Sequence, residues 1–338
     1  MTYLVSLIND HILPAYLFIR EMEGQYDRLL FVTSHRLLGS GSGKRIERAL
    51  HVPEGSVQRI AVSDEDLNET LAELETQKFS PDDRFVVNLS CDATILSIGA
   101  FEYFSKYVSS FYFIPVGKNI IENVQTSHNQ PLLYRVNLRE YFTLHGLRFE
   151  CNEEPIYPRS HTDALFERFK RTRFNRYKIP EMMETDRMNE SDSRYYSGAW
   201  FEEYTYHRIK EEKGLKDDCI YTGVKIFRSA KGELNDNEID IAYIIDNELY
   251  IGECKVSLKG VPGNRGIKLL EQYLYKLAAI SIDFGLNVRQ FIFTLHRFNN
   301  YSAVQMEAVR RRMRILQLEG LIDGDDYKKQ MLPLNFKK

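Results

Sequence analysis

The sequence predicts an α/β protein in two parts, a parallel sheet first and a mixed sheet second. Two observations carry this reading. From Tyr3 to Pro115, short apolar runs alternate with segments of helical length, the pattern of right-handed βαβ units closing a parallel sheet. Between Asn237 and Lys259, two apolar β-branched runs, Ile239 to Ile245 and Leu249 to Val256, flank Asp246-Asn247. That is a hairpin signal, because Asp and Asn tolerate the positive φ of a tight turn. A length of 338 residues is enough for two separate cores.

The elements of the first half follow in order. Residues 3–8 read as a buried strand and Leu13 to Met22 as a helix. Arg28 to Thr33 is a strand, Lys44 to Leu50 a helix, Val57 to Val62 a strand and Asp64 to Thr76 a helix with acids outward. Arg84 to Leu89 is the fourth strand, Ala93 to Tyr107 a helix and Ser110 to Pro115 the fifth strand. Parallel sheets bind ligands beyond the carboxyl ends of their strands. That rule selects Asn9-Asp10, Thr33-Ser34, Ser90 to Thr94 and Gly117-Lys118-Asn119. Gly39 to Lys44 imitates a phosphate loop, but Leu38 stands where the first glycine belongs and Arg45 where Ser or Thr belongs. It reads as a loop before a helix.

Arg135 to Phe142 is a short helix ending near Gly146, and Leu147 to Pro158 is irregular or strand-like. Residues 159–178 interleave Arg159, Arg168, Lys170, Arg171, Arg173, Arg176 and Lys178 with Phe166, Phe169, Phe174 and Tyr177. Cations beside rings suit a single-stranded nucleic acid, and a helix with a charged outer and aromatic inner face explains the same pattern. Residues 180–194 read as a linker. Tyr195 to Lys213 is an amphipathic helix, Ile220 to Phe227 a strand and Ala230 to Glu233 a turn. After the hairpin, Val261 to Gly266 is a loop, Leu269 to Ile280 a helix with Gln272 and Lys276 toward substrate or solvent, and Arg289 to Thr294 a buried strand. Arg310, Arg311, Arg312 and Arg314 make a basic helix face. The division expected is 1–148, a connecting segment over 149–194, and 195–338.

A formal net charge of −3 gives no global nucleic-acid signature, so any such surface is local. Cys91, Cys151, Cys219 and Cys254 are scattered without CxxC spacing, which argues against zinc and a disulfide scaffold. The start lacks a basic leader pattern, and no run is long and apolar enough to span a bilayer. A cytosolic protein is expected.

Centring the hairpin turn between Asp246 and Asn247 puts Asp240 opposite Glu253, with Cβ atoms roughly 5 Å apart. Lys255 follows two residues later and points to the same face. The strands are apolar on both faces, so they are covered on both sides, and charges there need partners or a metal. Two facing carboxylates suit Mg²⁺ or Mn²⁺, and a lysine beside them suits an attacking water or a phosphate.

Asp240, twelve intervening residues and Glu253-Cys254-Lys255 resemble the Asp…Glu-x-Lys core of the restriction-endonuclease-like nucleases, the PD-(D/E)xK superfamily. The head of the helix, Gly198-Ala199-Trp200-Phe201-Glu202, resembles the nuclease domain of CRISPR ancillary proteins that carry a CARF sensor. The resemblance gives Glu202 the role of a third acid in the metal cluster, with Glu203 second in line. The first half resembles the CARF domain, a Rossmann-like module, at Ser6 to Asp10 with Pro14 and at Asn88-Leu89-Ser90. Where many members continue Gly-Gly-Thr-Lys, this chain has Cys91, Asp92, Ala93 and Thr94, so a lysine is lost and an acid gained. Lys118 is either a substitute source of positive charge or an ordinary exposed lysine.

The resemblance implies a metal-dependent nuclease gated by a cyclic oligoadenylate, cyclic tetra-adenylate first, in CRISPR-linked antiphage defence. It implies a restriction-endonuclease-like second domain and a homodimer, since a two-fold ring fits a two-fold interface. Glu202, Asp240, Glu253 and Lys255 would act on single-stranded RNA, single-stranded DNA or duplex DNA. Asn9, Asp10, Ser90, Cys91, Asp92, Ala93, Thr94 and Lys118 would meet the ring. Two rivals are a ligand-independent restriction or repair endonuclease and a sensor with a vestigial nuclease core.

Overall fold

The computed structural model describes every residue except 174–178, 180, 182–184, 228–236, 259–264, 286–287, 300 and 335–338. The turn expected at Ala230 to Glu233, most of the loop from Val261, and Phe174, Arg176, Tyr177 and Lys178 lie outside the described residues. The chain divides into two compact units, Met1–Gly146 and Leu147–Lys338.

In the first unit a seven-stranded sheet has the order β3-β2-β1-β4-β5-β6-β7. Its strands are β1 (Thr2–Ile8), β2 (Arg28–Ser34), β3 (Gln58–Val62), β4 (Arg84–Asn88), β5 (Val108–Phe113), β6 (Ile120–Asn123) and β7 (Asn129–Pro131). β1 to β5 run parallel, as the alternating pattern demands, while β6 and β7 add antiparallel. The crossovers are helical: α1 (Leu13–Glu21), then α2 (His35–Leu38) with α3 (Ser42–Ala49), α4 (Leu67–Glu75) and α5 (Thr94–Phe104). α4 starts at Asp66, whose side chain accepts from Glu69 N–H at 3.0 Å, a standard N-cap. α6 (Leu138–Leu144) starts later than expected, because Asn137 and Glu140 close a capping box there. Val5, Leu7, Val32, Val87 and Phe111 build the core between the sheet and α4 and α5.

The second unit holds a six-stranded mixed sheet, β13-β12-β11-β10-β9-β8. These are β8 (Arg148–Asn152), β9 (Ile220–Phe227), β10 (Asn237–Ile245), β11 (Glu248–Lys255), β12 (Val288–Thr294) and β13 (Gly320–Ile322). The helices are α7 (Arg159–Arg171), the short α8 (Glu190–Arg194), α9 (Trp200–Lys213), α10 (Arg265–Ser281) and α11 (Ala303–Ile315). The β10–β11 hairpin has the expected register, with Ile241 opposite Gly252 and Ile245 opposite Glu248. Asp246 and Asn247 turn with φ of 51° and 66°, the double positive φ of a two-residue hairpin. One face, with Ile241, Tyr243, Tyr250 and Cys254, joins Trp200, Phe201 and Tyr204 of α9 in a large core. Gly252 makes that packing possible, since a Cβ there would meet the Phe293 ring at 2.5 Å.

The segment 149–194 differs from the expected connector. β8 pairs with β9 as the edge of the second sheet, and α7 buries Leu165, Phe166 and Phe169 in the second core. Phe166 stacks on Tyr204 at 4.5 Å. The basic–aromatic pattern therefore resolves, among the described residues, into a packed inner face and an ion-paired outer one. Arg159 meets Asp163 and Glu211, Arg168 meets Glu181, and Lys170 meets Glu167. Aromatic burial outweighs the value of exposing rings to solvent. Among the described residues no helix is long and apolar enough to cross a membrane.

Candidate functional site

The open end of the β10–β11 hairpin gathers buried charge. Asp240 is 7% and Glu253 2% exposed. Past Ile241–Gly252 the ladder gives way to a side chain: Cys254 N–H donates to Asp240 Oδ2 at 2.7 Å. Lys255 Nζ lies 2.8 Å from Asp240 Oδ2 and 2.7 Å from Glu253 Oε1. The sequence placed these three side chains on one face, and the ammonium bridges the two carboxylates there. Burial pulls the Lys255 pKa down, but the two carboxylates more than reverse this and hold it above the ordinary lysine value. Lys255 also lies over the Tyr273 ring of α10 at 5.2 Å.

Glu202 comes to this site from the first turn of α9. Burial first, and then the charge of Asp240, push its carboxyl up to about 8. Glu203 goes elsewhere. Its carboxylate is 4% exposed and accepts from the N–H groups of Ile156 and Tyr157 and from the Tyr195 hydroxyl. It ties the strand–helix connection to α9, which leaves Glu202 as the acid facing the hairpin. Adjacent residues on a helix diverge by about 100°, so they serve different partners.

α10 supplies a residue that the sequence placed toward substrate or solvent. Lys276 Nζ lies 2.6 Å from Glu253 Oε2, while Gln272, proposed for the same face, is exposed. Tyr273 was missed altogether; its spacing of three from Lys276 is the signal that both share a helix face. Burial raises the Tyr273 hydroxyl, Lys255 opposes this, and Glu253 and Asp240 add to it.

Among the described residues no three acidic, His or Cys side chains form a preformed cation cluster. The donor set still suits a hard divalent ion, which takes carboxylate oxygens. Asp240 and Glu253 present such oxygens to ammonium groups. Glu202, whose negative form burial disfavours, is the carboxyl a nearby cation would help to ionise.

In the first unit the residues singled out at the strand ends lie in two turns. Asn9 and Asp10 follow β1, and Ser90 to Thr94 join β4 to α5. Asn9 is 3% exposed, and its amide donates to Asp92 Oδ1. His11 Nε2 is 3.7 Å from Asp92 Oδ2. The acid gained at position 92 is thus held by side chains from the β1 end. Asn88 donates to Ser6 at 3.3 Å and accepts from Ser90 N–H at 3.0 Å. Ser90 Oγ accepts from Ile114 N–H at 2.7 Å, bracing the end of β5. Burial pushes the Cys91 thiol up to about 11.

Ala93 is the N-cap residue of α5 and makes no side-chain cap, so its own side chain satisfies none of the helix's first amides, the groups an anion can use at a helix start. Lys118 is exposed after β5; among the described residues no hydrogen bond or ion pair joins it to these turns. Arg45, not among the residues expected to meet the ring, stands near Asp10. Burial lowers its guanidinium pKa and Asp10 opposes that.

The chain thus joins a mainly parallel sheet to a mixed sheet that carries a buried carboxylate–lysine cluster. The Card1 CARF domain family matches residues 3–141, and the Card1-like endonuclease domain family matches residues 189–327. The chain therefore carries a Card1 CARF domain followed by a Card1-like endonuclease domain. Among solved structures, protein VC1899 from Vibrio cholerae superposes with a TM-score of 0.72 at 17% identity, over 97% of this chain and 95% of that one. Can2 from Sulfobacillus thermosulfidooxidans, in complex with cyclic tetra-adenylate, gives 0.70 at 15% identity over 95% of both chains. A type III CRISPR defence DNA nuclease activated by cyclic oligoadenylate gives 0.57 at 13%, over 87% of this chain and 45% of that one. At such identities these likenesses concern the fold. No curated protein matches.

Proposed function

We propose that the protein is a metal-dependent nuclease of type III CRISPR antiphage defence, activated by a cyclic oligoadenylate and foremost by cyclic tetra-adenylate. The observation that carries the reading is the buried Asp240–Lys255–Glu253 bridge with Glu202 beside it. Asp240, Glu253 and Glu202 would hold Mg²⁺ or Mn²⁺. The ion would supply Lewis acidity and a nucleophilic water at neutral pH. Lys255, charged at any working pH, neutralises a phosphodiester oxygen or orients the water. Tyr273 limits where Lys255 can swing.

In the sensor, Asn9, Asp10 and the turn Ser90 to Thr94 meet the ring, and the open amides of α5 face its phosphates. Lys118 adds charge from the neighbouring turn. The bound ring of the structural neighbour Can2 and the CARF match support this ligand class. The sensor works as a homodimer, and ring binding favours a cleaving arrangement to the extent that the ring prefers it. RNA, single-stranded DNA and duplex DNA all remain substrates of the proposal, as phosphodiesters of one chemistry.

The test is a cleavage panel on those three substrates with Mn²⁺ or Mg²⁺, with and without cyclic oligoadenylates of different ring size. Cleavage that needs both metal and cyclic tetra-adenylate is expected. Equal cleavage without any ring makes the protein a ligand-independent endonuclease, and cleavage in excess chelator removes the metal from the account.

A further inference from the structure

Glu253 is held by two lysines from different elements. Lys255, on the same strand, reaches Glu253 Oε1 at 2.7 Å and also Asp240 at 2.8 Å. Lys276, from α10, reaches Glu253 Oε2 at 2.6 Å, so each oxygen of a 2% exposed carboxylate faces an ammonium. The two pairs are not equivalent. Lys255 shares two carboxylates and is 26% exposed, whereas Lys276 is 33% exposed and, among the described residues, ion-pairs with Glu253 alone.

A cation arriving at Glu253 meets an ammonium on each carboxylate oxygen and competes with both. The group with one acceptor and readier access to water loses less on leaving. An ammonium on a flexible four-carbon stem can also relocate without backbone movement. We propose that Lys276 is a displaceable counter-ion: it keeps Glu253 paired before the divalent cation binds, competes with that cation, and then turns its ammonium to the substrate phosphate. This rests on the reading of the hairpin end as a nuclease metal site and adds a residue outside its motif. It gives a physical reason for a second lysine in a place where one already bridges the acids. An unpaired buried carboxylate is strongly unfavourable, so a site that must stand empty between turnovers gains from a partner that can move aside.

The experiment measures Mn²⁺ binding to the full chain by calorimetry and electron paramagnetic resonance, without nucleic acid. Lys276→Met should bind Mn²⁺ about tenfold more tightly than the unaltered protein, the scale of losing one directly competing charge-assisted pair. Lys276→Gln, which keeps length and a donor but no charge, should move in the same direction, and Lys276→Arg should return toward the original affinity. With saturating Mn²⁺ and ring, Lys276→Met should raise KM for nucleic acid more than it lowers kcat. Unchanged or weaker Mn²⁺ binding in both uncharged variants, beside clear binding by the unaltered protein, overturns the counter-ion and leaves the nuclease reading standing. Failure of the unaltered protein to bind Mn²⁺ at all overturns both.

Discussion

At the open end of the β10–β11 hairpin the protein buries charge, and at the turn after β4 it keeps charge near the surface. Glu253 is 2% exposed and meets two ammonium groups, while the Asp92 side chain is 61% exposed and is held by the Asn9 amide and faced by His11. In the first region the side chains are the chemistry, and burial magnifies each of their interactions. In the second, under the proposed function, the amides at the start of α5, which no N-cap side chain satisfies, and the small residue Ala93 would shape the surface for the ring. A reacting site fixes residue identity tightly. A ligand-reading site fixes backbone path and available space, and tolerates the replacement of a familiar motif.

That contrast can be broken from either side. On the sensor side Ala93→Trp should have the largest effect, since an indole at the mouth of α5 occupies the space beside its amides. Binding of cyclic tetra-adenylate should weaken at least about 100-fold by calorimetry, the loss of several contacts at once. Undiminished binding would move the ligand elsewhere.

Lys255→Ala comes next. Cleavage should fall on the order of 10²-fold, the scale of one electrostatic or acid–base contributor, with ring binding unchanged. Near-normal turnover would reduce Lys255 to an ion-pair partner.

Glu202→Gln sharpens the contrast through pH. Burial and Asp240 raise the Glu202 carboxyl to about 8 in the fold, above its value of roughly 4.3 in an unfolded chain. The folded state therefore holds a proton that the unfolded chain releases. The stability from this group is complete below the lower value and is lost as pH rises toward the higher one. In chelator, the Gln variant should gain on the unaltered protein between about pH 5 and 8, by on the order of 2–4 kcal/mol at the upper end. Denaturant melts across that range measure it, and a pH-independent difference would place Glu202 outside the cluster.

Asp92→Ala should have the smallest effect. It removes a carboxylate already engaged by Asn9, so ring affinity should change less than about tenfold, the worth of one hydrogen bond. A larger gain would show that Asp92 repels the ring's phosphates.

How far the sequence led can be read from the same two regions. The hairpin was legible because Asp246 and Asn247 each take positive φ and set the register. Register alone then carried Asp240, Glu253 and Lys255 to one place. The parallel sheet was legible because its strands and helices alternate at regular spacing. β6, β7 and β13, of three or four residues each, are too short to show a period of two. The 149–194 segment misled because its polar, charged surface hides a strand edge and three buried apolar residues of α7. Lys276 and Tyr273 meet the hairpin only through tertiary packing of α10, a contact that no local pattern encodes. Glu203 shows the same limit, since only the fold reveals the backbone amides it serves.

The central claim is that catalysis and sensing occupy separate sites on one chain. Asp240→Asn tests it most directly, because the amide keeps an oxygen for the Cys254 N–H while removing the charge. Ring binding by calorimetry and cleavage with Mn²⁺ should be measured on the same preparation. The account predicts cyclic tetra-adenylate affinity equal to that of the unaltered protein and cleavage reduced by about 10³-fold or more. Cleavage that survives the substitution, or ring binding that is lost with it, would contradict the account.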